Sequence, residues 1–547
     1  MNKNILCLLL FFTSSLLHAQ PNITRSIYFK EKKCLGYENY MIRALQHSGG
    51  SIFGVSVFSK TTTNADSRLY KLNAQLDTVW RINYGGSNDD DLRFIHELPN
   101  GHLLLSGKTQ SKDGDVPYGH TYSAGEIWLL EVDTMGIIIK GRTFGGSNGS
   151  DLANTIISSD GMIYMCGSTI ANDYDFAHVN FGTFDSDAWI VKLDTAFNLI
   201  WVKVYTGNSN EGADDIQEVS SNRLVVGITT EATNIEMAGS QAKGQTDLLA
   251  IFIDTSSNEI WKKRYGGKGR DGGNYICIDT LSKYIYMVAT SGSGDGDITY
   301  HTNTWSNLPF DTINYNNDVW ILKIDTLGTI LGSKVYGSIA GPNDDTIPFD
   351  AQLYEGNIWV ASWVQGGDGD CDSNNDGSLM NSWIAIIDTG NVNLIGKYTI
   401  AGNYADYLMD FFYIDNVLTA LGISTKDVVA FQGLNTFSCD TTMDFGFILK
   451  LGDAPLGIND ITKSNHAEIF SLYPNPSDSK VNIQLNELYK TEKYTLSIYT
   501  LDGKKIFRKK GNAETESIDC STWAKGTYYV TMELKNGLKQ TKQFEKQ

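Results

Sequence analysis

The chain has 547 residues and a formal net charge of -19, a balance that repels nucleic acid and anionic lipid and suits divalent cations or cationic partners. With 11% aromatic residues and 53 Gly against 9 Pro, it reads as an ordered, turn-rich chain of strands rather than a disordered one. The charge is uneven: from His466 onward there are 13 Lys/Arg against 10 Asp/Glu, which leaves about -22 on the body before it.

The first stretch, residues 1–19, reads as an export signal peptide. Lys3 precedes an apolar run from Ile5 to Phe12, and Leu17-His18-Ala19 ends on a small residue before Gln20, a run too short to span a bilayer. Cys7 lies too early in that run, without small residues before it, for a lipoprotein cleavage site. No other apolar run approaches about 18 residues, so no transmembrane segment is predicted after the leader.

The body is repetitive. Between Asp187 and Thr230 four short runs, Trp189–Leu193, Leu199–Tyr205, Asp215–Val219 and Arg223–Thr229, are dense in strand formers and separated by turn residues, which predicts four antiparallel strands in one small sheet. Copies follow on either side. Asn73, Asp133, Asp194, Asp254, Asp325 and Asp388 fall in register at intervals of 60 to 71 residues, the period of a propeller blade. A second-strand run ending in YGGS or a variant recurs at Val79–Ser87, Ile137–Ser147, Ile260–Gly267 and Ile330–Ser338.

Six full repeats are visible, and the two ends supply a seventh. Ile23–Lys30, Tyr37–Ala44 and Ser51–Phe58 read as second, third and fourth strands, with the missing first strand at Phe445–Leu451. The expected fold is all-β, a seven-bladed β-propeller over residues 20–452, closed by pairing of N- and C-terminal strands, which removes any free edge.

Six cysteines follow the leader, widely scattered, which excludes a dense disulfide framework. Cys34 and Cys439 occupy two loops on one face of the closing blade, so a bond there would tie the ends of the ring. The same face collects acid: Asp113-Gly114-Asp115, Asp173-Tyr174-Asp175, Asp295-Gly296-Asp297 and Asp368-Gly369-Asp370, together with Asp89–Asp91, Asp151, Asp214, Asp215, Asp344 and Asp345. The favoured reading is that these Asp side chains cap turns by accepting backbone N–H groups.

One loop goes further. Asp370 precedes Asp372, Asn374, Asp376 and Gly377, which reproduce the D-x-[DN]-x-[DN]-G opening of a calcium loop, where alternate oxygens point inward and Gly permits a sharp turn. The twelfth position is Trp383 rather than a bidentate Glu, so this is no EF-hand. A simpler calcium site on Asp370, Asp372, Asn374 and Asp376 is the expectation, stiffening the loop rather than catalysing.

Tyr84-Gly85-Gly86-Ser87, Gly167-Ser168-Thr169 and Asp187-Ala188-Trp189 resemble the β-propeller repeat family of bacterial exported proteins, over about Ile23 to Leu451. That resemblance implies a fold and an exported life and no reaction. The turns near Gly337 and Gly402 depart from YGG.

Residues 453–467, with Pro455, Gly457, Asn459 and Asp460, break the pattern and read as a linker. Residues 468–547 are Lys-rich with short strands predicted at Ile469–Tyr473, Val481–Leu485, Tyr494–Thr500, Lys505–Phe507, Thr527–Glu533 and Lys539–Phe544, suited to a small Ig-like β-sandwich. LYPNPS at Leu472–Ser477, IYTLDGKKI at Ile498–Ile506, GTYYV at Gly526–Val530 and the Lys-rich last strand closely resemble the C-terminal sorting domain of the type IX (Por) secretion system. The resemblance implies passage across the outer membrane, recognition by the secretion machinery, and removal of the domain by a sortase with anchoring at the cell surface or release.

Chemistry is less legible. The histidines are scattered, and there is no H-E-x-x-H, G-x-S-x-G or metal-spaced Cys/His cluster. The sialidase turn S-x-D-x-G-x-x-W is missing too. The leading expectation is therefore a non-enzymatic secreted or cell-surface binding and adhesion module for an extracellular glycan or protein, with exposed aromatics such as Trp305 or Tyr118 beside the acid loops. The alternative is a carbohydrate-active enzyme, a glycosidase or lyase, with two carboxylates in one pocket.

Overall fold

A computed structural model of the chain describes residues 32–34, 42–450 and 469–547, except for 62–63, 75, 117–124, 178–184, 234–241, 299–316, 338–344, 366–369, 371–379, 402–405, 415–416, 425–427, 432–436, 439–444, 487–488, 491–492, 501–503 and 536–538. Apart from one 3-10 turn at Tyr174–Phe176, the described elements are strands. They divide into two compact units, one built from Lys32–Lys450 and one from Phe470–Lys546.

The first unit holds, among the described residues, seven antiparallel sheets. Named by first and last strand, sheet A runs from Arg43–Gln46 to Thr78–Tyr84, B from Asp90–Glu97 to Ile138–Phe144, and C from Ser150–Ile157 to Leu199–Tyr205. Sheet D runs from Glu211–Ser220 to Glu259–Tyr265, E from Asp271–Asp279 to Ile330–Tyr336, and F from Thr346–Tyr354 to Leu394–Ala401 with two short added strands. Sheet G begins at Asp406–Ile414 and ends on Lys32–Cys34. The first strand of each sheet packs beside that of the next, and the first strand of G returns to that of A. The body is all-β and propeller-like.

The phase of the repeat differs from the expectation. Asp187–Leu193 and Leu199–Tyr205 pair with the preceding strands Ser150–Ile157 and Ile163–Thr169, not with the strands that follow. The reason is a matter of reach. Only five residues separate Tyr205 from Glu211, and only five separate Tyr84 from Asp90, and such short links read as hairpins. Five extended residues nonetheless span roughly 17 Å, enough to cross the about 14 Å from a last strand to the first strand of the next sheet.

Closure is shifted in the same way. Phe445–Lys450 pairs with Val417–Ser424 on one side and with Lys32–Cys34 on the other. The closing sheet thus takes three strands from the C-terminal side and one from the N-terminal side, the reverse of the expected split, because Arg43–Gln46 and Ile52–Thr61 already begin sheet A. Chain ends meet in one sheet, at Lys32 opposite Leu449. Residues 23–30 lie outside the described residues.

The repeat motifs acquire physical roles. The Asp that follows each third strand folds the next hairpin: Asp194 Oδ1 accepts from the N–H groups of Ala196 and Asn198, both at 2.8 Å, and Asp254 and Asp325 do the same at their turns. The Tyr of YGG reaches across to the next sheet. Tyr84, Tyr265 and Tyr336 donate their hydroxyls to the carbonyls of Gly136, Gly328 and Val392, each at 2.7 Å. The third-strand lysines do likewise, Lys192 to Thr255 O at 3.3 Å and Lys323 to Thr389 O at 2.8 Å. Beneath these contacts lie Trp128, Trp189, Trp320 and Trp383, fully buried.

The second unit is a sandwich of a three-stranded sheet, Phe470–Tyr473, Lys480–Leu485 and Thr515–Asp519, and a four-stranded one, Lys505–Gly511, Tyr494–Thr500, Gly526–Leu534 and Lys539–Lys546. Val481, Ile483 and Ile518 from one sheet share a core with Leu496, Ile498, Val530 and Phe544 from the other. The strand Thr515–Asp519 was not expected, since TESID carries one aliphatic residue in five. Its alternate residues Glu516 and Ile518 are buried, and Glu516 accepts from the Tyr494 hydroxyl at 2.8 Å.

These contacts order two substitutions. Tyr265→Phe removes one buried hydrogen bond between sheets D and E and is expected to cost about 1 kcal/mol, whereas Trp320→Ala empties the core between them and is expected to cost about 3–5 kcal/mol. Calorimetric unfolding of the two variants should place their midpoints in that order.

Candidate functional site: the central cavity

Most of the acid loops are spent on the fold. Asp115 and Gly85 exchange two hydrogen bonds, the Gly85 N–H donating to Asp115 Oδ2 at 3.2 Å and the Asp115 N–H to Gly85 O at 3.1 Å. The same clasp joins Asp175 to Gly145, Asp297 to Gly266 and Asp370 to Gly337. Asp113, Asp173 and Asp295 each accept a further backbone N–H of the glycine turn. The expectation that these Asp residues cap turns describes them correctly.

The first Gly of the turn is there for space. Gly85 has φ 154°, and a Cβ on it would lie 2.9 Å from carboxylate oxygens of both Asp66 and Asp90.

A different set of acids lines a cavity of about 490 Å³ between the first strands of the sheets. Each of those strands from B to G carries a bulge near its start, at Leu92/Phe94, Leu152/Asn154, Ala213/Asp215, Gly272/Tyr275, Pro348/Asp350 and Leu408/Asp410. A bulge inserts a residue and re-aims the next side chain. At three strands that side chain is Asp, and it accepts a backbone N–H from the neighbouring first strand: Asp215 from Ile276 at 2.6 Å, Asp350 from Phe411 at 2.8 Å, Asp410 from Ala44 at 3.1 Å.

One cation offsets this acid. Arg43 Nη1 lies 2.5 Å from Asp410 and 3.8 Å from Asp350 and also donates to Met409 O at 3.3 Å. Burial works against its charge, but Asp410 and Asp350 outweigh burial and keep it protonated. Burial pushes Asp410 up while Arg43 pulls it back.

Across the cavity, among the described residues, no cation is paired with Asp214 or Asp215. Burial pushes both up to about 7, against the hydrogen bonds each accepts. Asp214 accepts from the Thr229 hydroxyl at 2.7 Å and the Asn274 amide at 2.8 Å. His96 also lines the cavity. Burial and the nearby Arg43 push its imidazole down to about 4, and its Nε2 is buried without a hydrogen-bond partner. The cavity therefore combines near-neutral carboxyls, a neutral imidazole, an Arg and the half-buried Tyr275.

Sequence reasoning missed most of this. The sequence groups Asp214 and Asp215 with the loop acids, although Asp215 also opens a predicted strand; both sit inside the first strand of sheet D, and no local motif in the sequence singles out Asp350, Asp410, Arg43 and His96. The signal for Asp215, Asp350 and Asp410 is their spacing, within one or two residues of a constant position in the repeat.

Of the predicted calcium ligands only Asp370 lies among the described residues, and its carboxylate is engaged with the Gly337 N–H; Asp372, Asn374 and Asp376 lie outside them. Among the described residues no group of three or more His, Cys, Asp or Glu is arranged to hold a metal ion. Cys439, Trp305 and Tyr118 also fall outside the described residues, as does the side chain of Cys34, whereas Cys166, Cys277 and Cys520 are buried free thiols. Tyr174, between the clasp residues Asp173 and Asp175, is 47% exposed.

Fold and geometry define a propeller-like all-β body followed by a β-sandwich tail. Residues 471–547 match the secretion system C-terminal sorting domain family, so the chain carries the tail of a type IX secretion cargo, delivered to the cell surface or the extracellular space. Among the described residues no helix is long and apolar enough to cross a membrane.

No curated protein matches the chain. Similar solved structures include PorZ, a surface component of the type IX secretion system of Porphyromonas gingivalis, at 11% identity and TM-score 0.34, covering 93% of this chain and 59% of that one. The Pan2 WD40 domain of Neurospora crassa is similar at 8% identity and TM-score 0.39, covering 78% and 96%. The acylaminoacyl peptidase of Pyrococcus horikoshii is similar at 10% and 0.37, covering 81% and 57%. The chain thus spans less than three fifths of the peptidase and of PorZ.

The cavity electrostatics predict a pH-dependent cost for losing its cation. Arg43→Met leaves Asp350 and Asp410 buried without a counter-charge, a loss of roughly 3–5 kcal/mol when both are ionised. The deficit is expected in full at pH 8 and to shrink at pH 5, where protonation neutralises them. Denaturant titrations of parent and variant at the two pH values check this.

Proposed function

We propose that the body is a seven-bladed β-propeller acting as a secreted or surface-held binding and adhesion module, and that its ligand, an extracellular glycan or protein segment, enters the central cavity. The observation that carries this reading is the unpartnered His96 Nε2 in that cavity. A buried ring nitrogen without a partner costs free energy until a ligand or water bonds to it, and the carboxyls beside it offer further partners for hydroxyl or amide groups. The tail, an Ig-like sandwich in this reading, directs the chain to the type IX machinery, and a sortase removes it with anchoring or release.

A carbohydrate-active enzyme is the second reading. Asp214, held near pH 7 by burial, has the proton affinity of a general acid. Against it stands the engagement of the other carboxylates that line the cavity: Asp215, Asp350 and Asp410 accept backbone N–H groups, and Glu218 accepts from the N–H and hydroxyl of Ser159, each at 2.7 Å.

The two readings separate on glycan-array binding and turnover by the purified chain and by Asp214→Asn and His96→Phe. Binding that falls at least tenfold in His96→Phe, with no turnover by the parent, is the expected result. Turnover abolished in Asp214→Asn would replace it with the enzyme reading, and silence in both assays would sink both.

Calcium at Asp370, Asp372, Asn374 and Asp376 remains a proposal of its own, resting on the spacing of those oxygens. Calcium is expected to raise the thermal midpoint, and a chelator to reverse the rise. Removal of residues 471–547 is expected to leave the protein inside the cell envelope, as cell fractionation would show.

A further inference from the structure

The clasp between neighbouring sheets places one acidic residue at the start of a third strand beside another at the start of the next sheet's first strand. These pairs are Asp66 with Asp90, Asp187 with Glu211, and Asp247 with Asp271, and all six side chains are buried. Two buried carboxylates at one junction need donors or a cation; two of the three junctions show them, although Asp247 Oδ1 is also buried without a hydrogen-bond partner.

Asp90 accepts from Thr109, from Ser111 at 2.7 Å and from the Gly86 N–H at 2.6 Å. Asp271 accepts from Ser291 at 2.5 Å, Ser293 at 2.7 Å and the Gly267 N–H at 2.7 Å. Its neighbour Asp247 is further paired with Arg264 at 3.0 Å, both side chains being inaccessible.

The junction between sheets C and D keeps the acids and lacks these partners. Glu211 accepts from Thr230 at 3.2 Å and from the Gly207 N–H, but the place of Ser111 and Ser293 is taken by Ala232, whose N–H bonds Thr230 just as those serine N–H groups bond Thr109 and Ser291. The place of Arg264 in the last strand is taken by Val204. Asp187 and Glu211 are each 2% exposed, and Asp187 Oδ2 and Glu211 Oε2 are both buried without a hydrogen-bond partner.

The remaining group that bears on both acids is Asp185, also negative. Tyr205 from the last strand of sheet C is buried as well, and burial holds its hydroxyl neutral. Arg264 Nη2 donates to the Ala232 carbonyl at 2.7 Å, but its Nη1 is paired with Asp247, and among the described residues no cation is hydrogen-bonded to Asp187 or Glu211.

We propose that Asp187 and Glu211 share one proton, making the junction between sheets C and D a pH-sensitive fastening of the body. The proton comes from solvent on folding, sits on one carboxyl, and is donated to the orphan oxygen of the other, so that a single proton satisfies both acids and removes one charge. Burial, with the neighbouring acids, pushes Glu211 up to about 8 and Asp187 up to about 7.

The sign follows from linkage. In the unfolded chain both groups ionise near pH 4, so the folded state binds one proton more between about pH 5 and about 8, and stability falls as pH rises through that window. One proton makes the unfolding constant rise about tenfold per pH unit.

The test is denaturant unfolding of the whole chain from pH 5 to pH 9, compared with Glu211→Gln and Ala232→Ser. Glu211→Gln supplies a permanent N–H donor and is expected to flatten the pH dependence by one proton relative to the parent. Ala232→Ser, which restores the hydroxyl found at the other two junctions, is expected to shift the steep region to lower pH and keeps the test open if Glu211→Gln fails to fold. Curves parallel to the parent in both variants would overturn the proposal. So would a parent pH dependence abolished by calcium or restored by a chelator, which would indicate a cation in place of the proton.

Discussion

A four-stranded sheet with two apolar faces has no stable existence of its own, and the body of this protein depends on how each sheet is fastened to the next. Apolar contact provides most of the adhesion, through buried Trp, Tyr and aliphatic side chains, but apolar contact is non-directional. Direction comes from hydrogen bonds between sheets. Tyr hydroxyls and Lys amines reach the turn carbonyls of the following sheet, Asp clasps hold the glycine turns, and bulge-directed Asp side chains capture backbone N–H groups around the cavity. Each satisfies a backbone group that a loop or bulge would otherwise leave unpaired.

The same economy explains where function is concentrated. Acidic residues that look from the sequence like a ligand-binding face are mostly committed to the clasps. In the cavity the partnerless group is His96 Nε2, beside a near-neutral Asp214 that Thr229 and Asn274 hold. Burying carboxylates there and at the sheet junctions is costly unless each finds donors, a cation or a proton. Arg43 and Arg264 are the cations at two such places, and serine and threonine hydroxyls serve at others.

The sequence made the repeat legible because its turn chemistry is local. An Asp that accepts N–H groups two and four residues on leaves a signature in four consecutive units, at Asp133, Asp194, Asp254 and Asp325. The sandwich tail was legible for the same reason, save for Thr515–Asp519, whose single aliphatic residue gives too little alternation. The phase of the repeat was not legible. A five-residue link from Tyr205 to Glu211 serves equally well for a hairpin or for a step to the next sheet, and no local interaction separates the two. The cavity acids escaped because a bulge changes which face a side chain takes without changing residue type.

The sequence by itself determined the strand content, the turns, the meeting of the two chain ends in one sheet and the export tail, since each is written in propensities and motifs a few residues long. Only the tertiary structure decided which strands share a sheet, which acids meet, and which of them lack a partner. Those outcomes depend on residues about 60 positions apart being brought within hydrogen-bond distance, as Asp215 is to Ile276 and Asp350 to Phe411. At Asp187 and Glu211 the deciding features are a hydroxyl and a guanidinium present at a sister junction and missing here, which becomes visible only once the sheets are stacked.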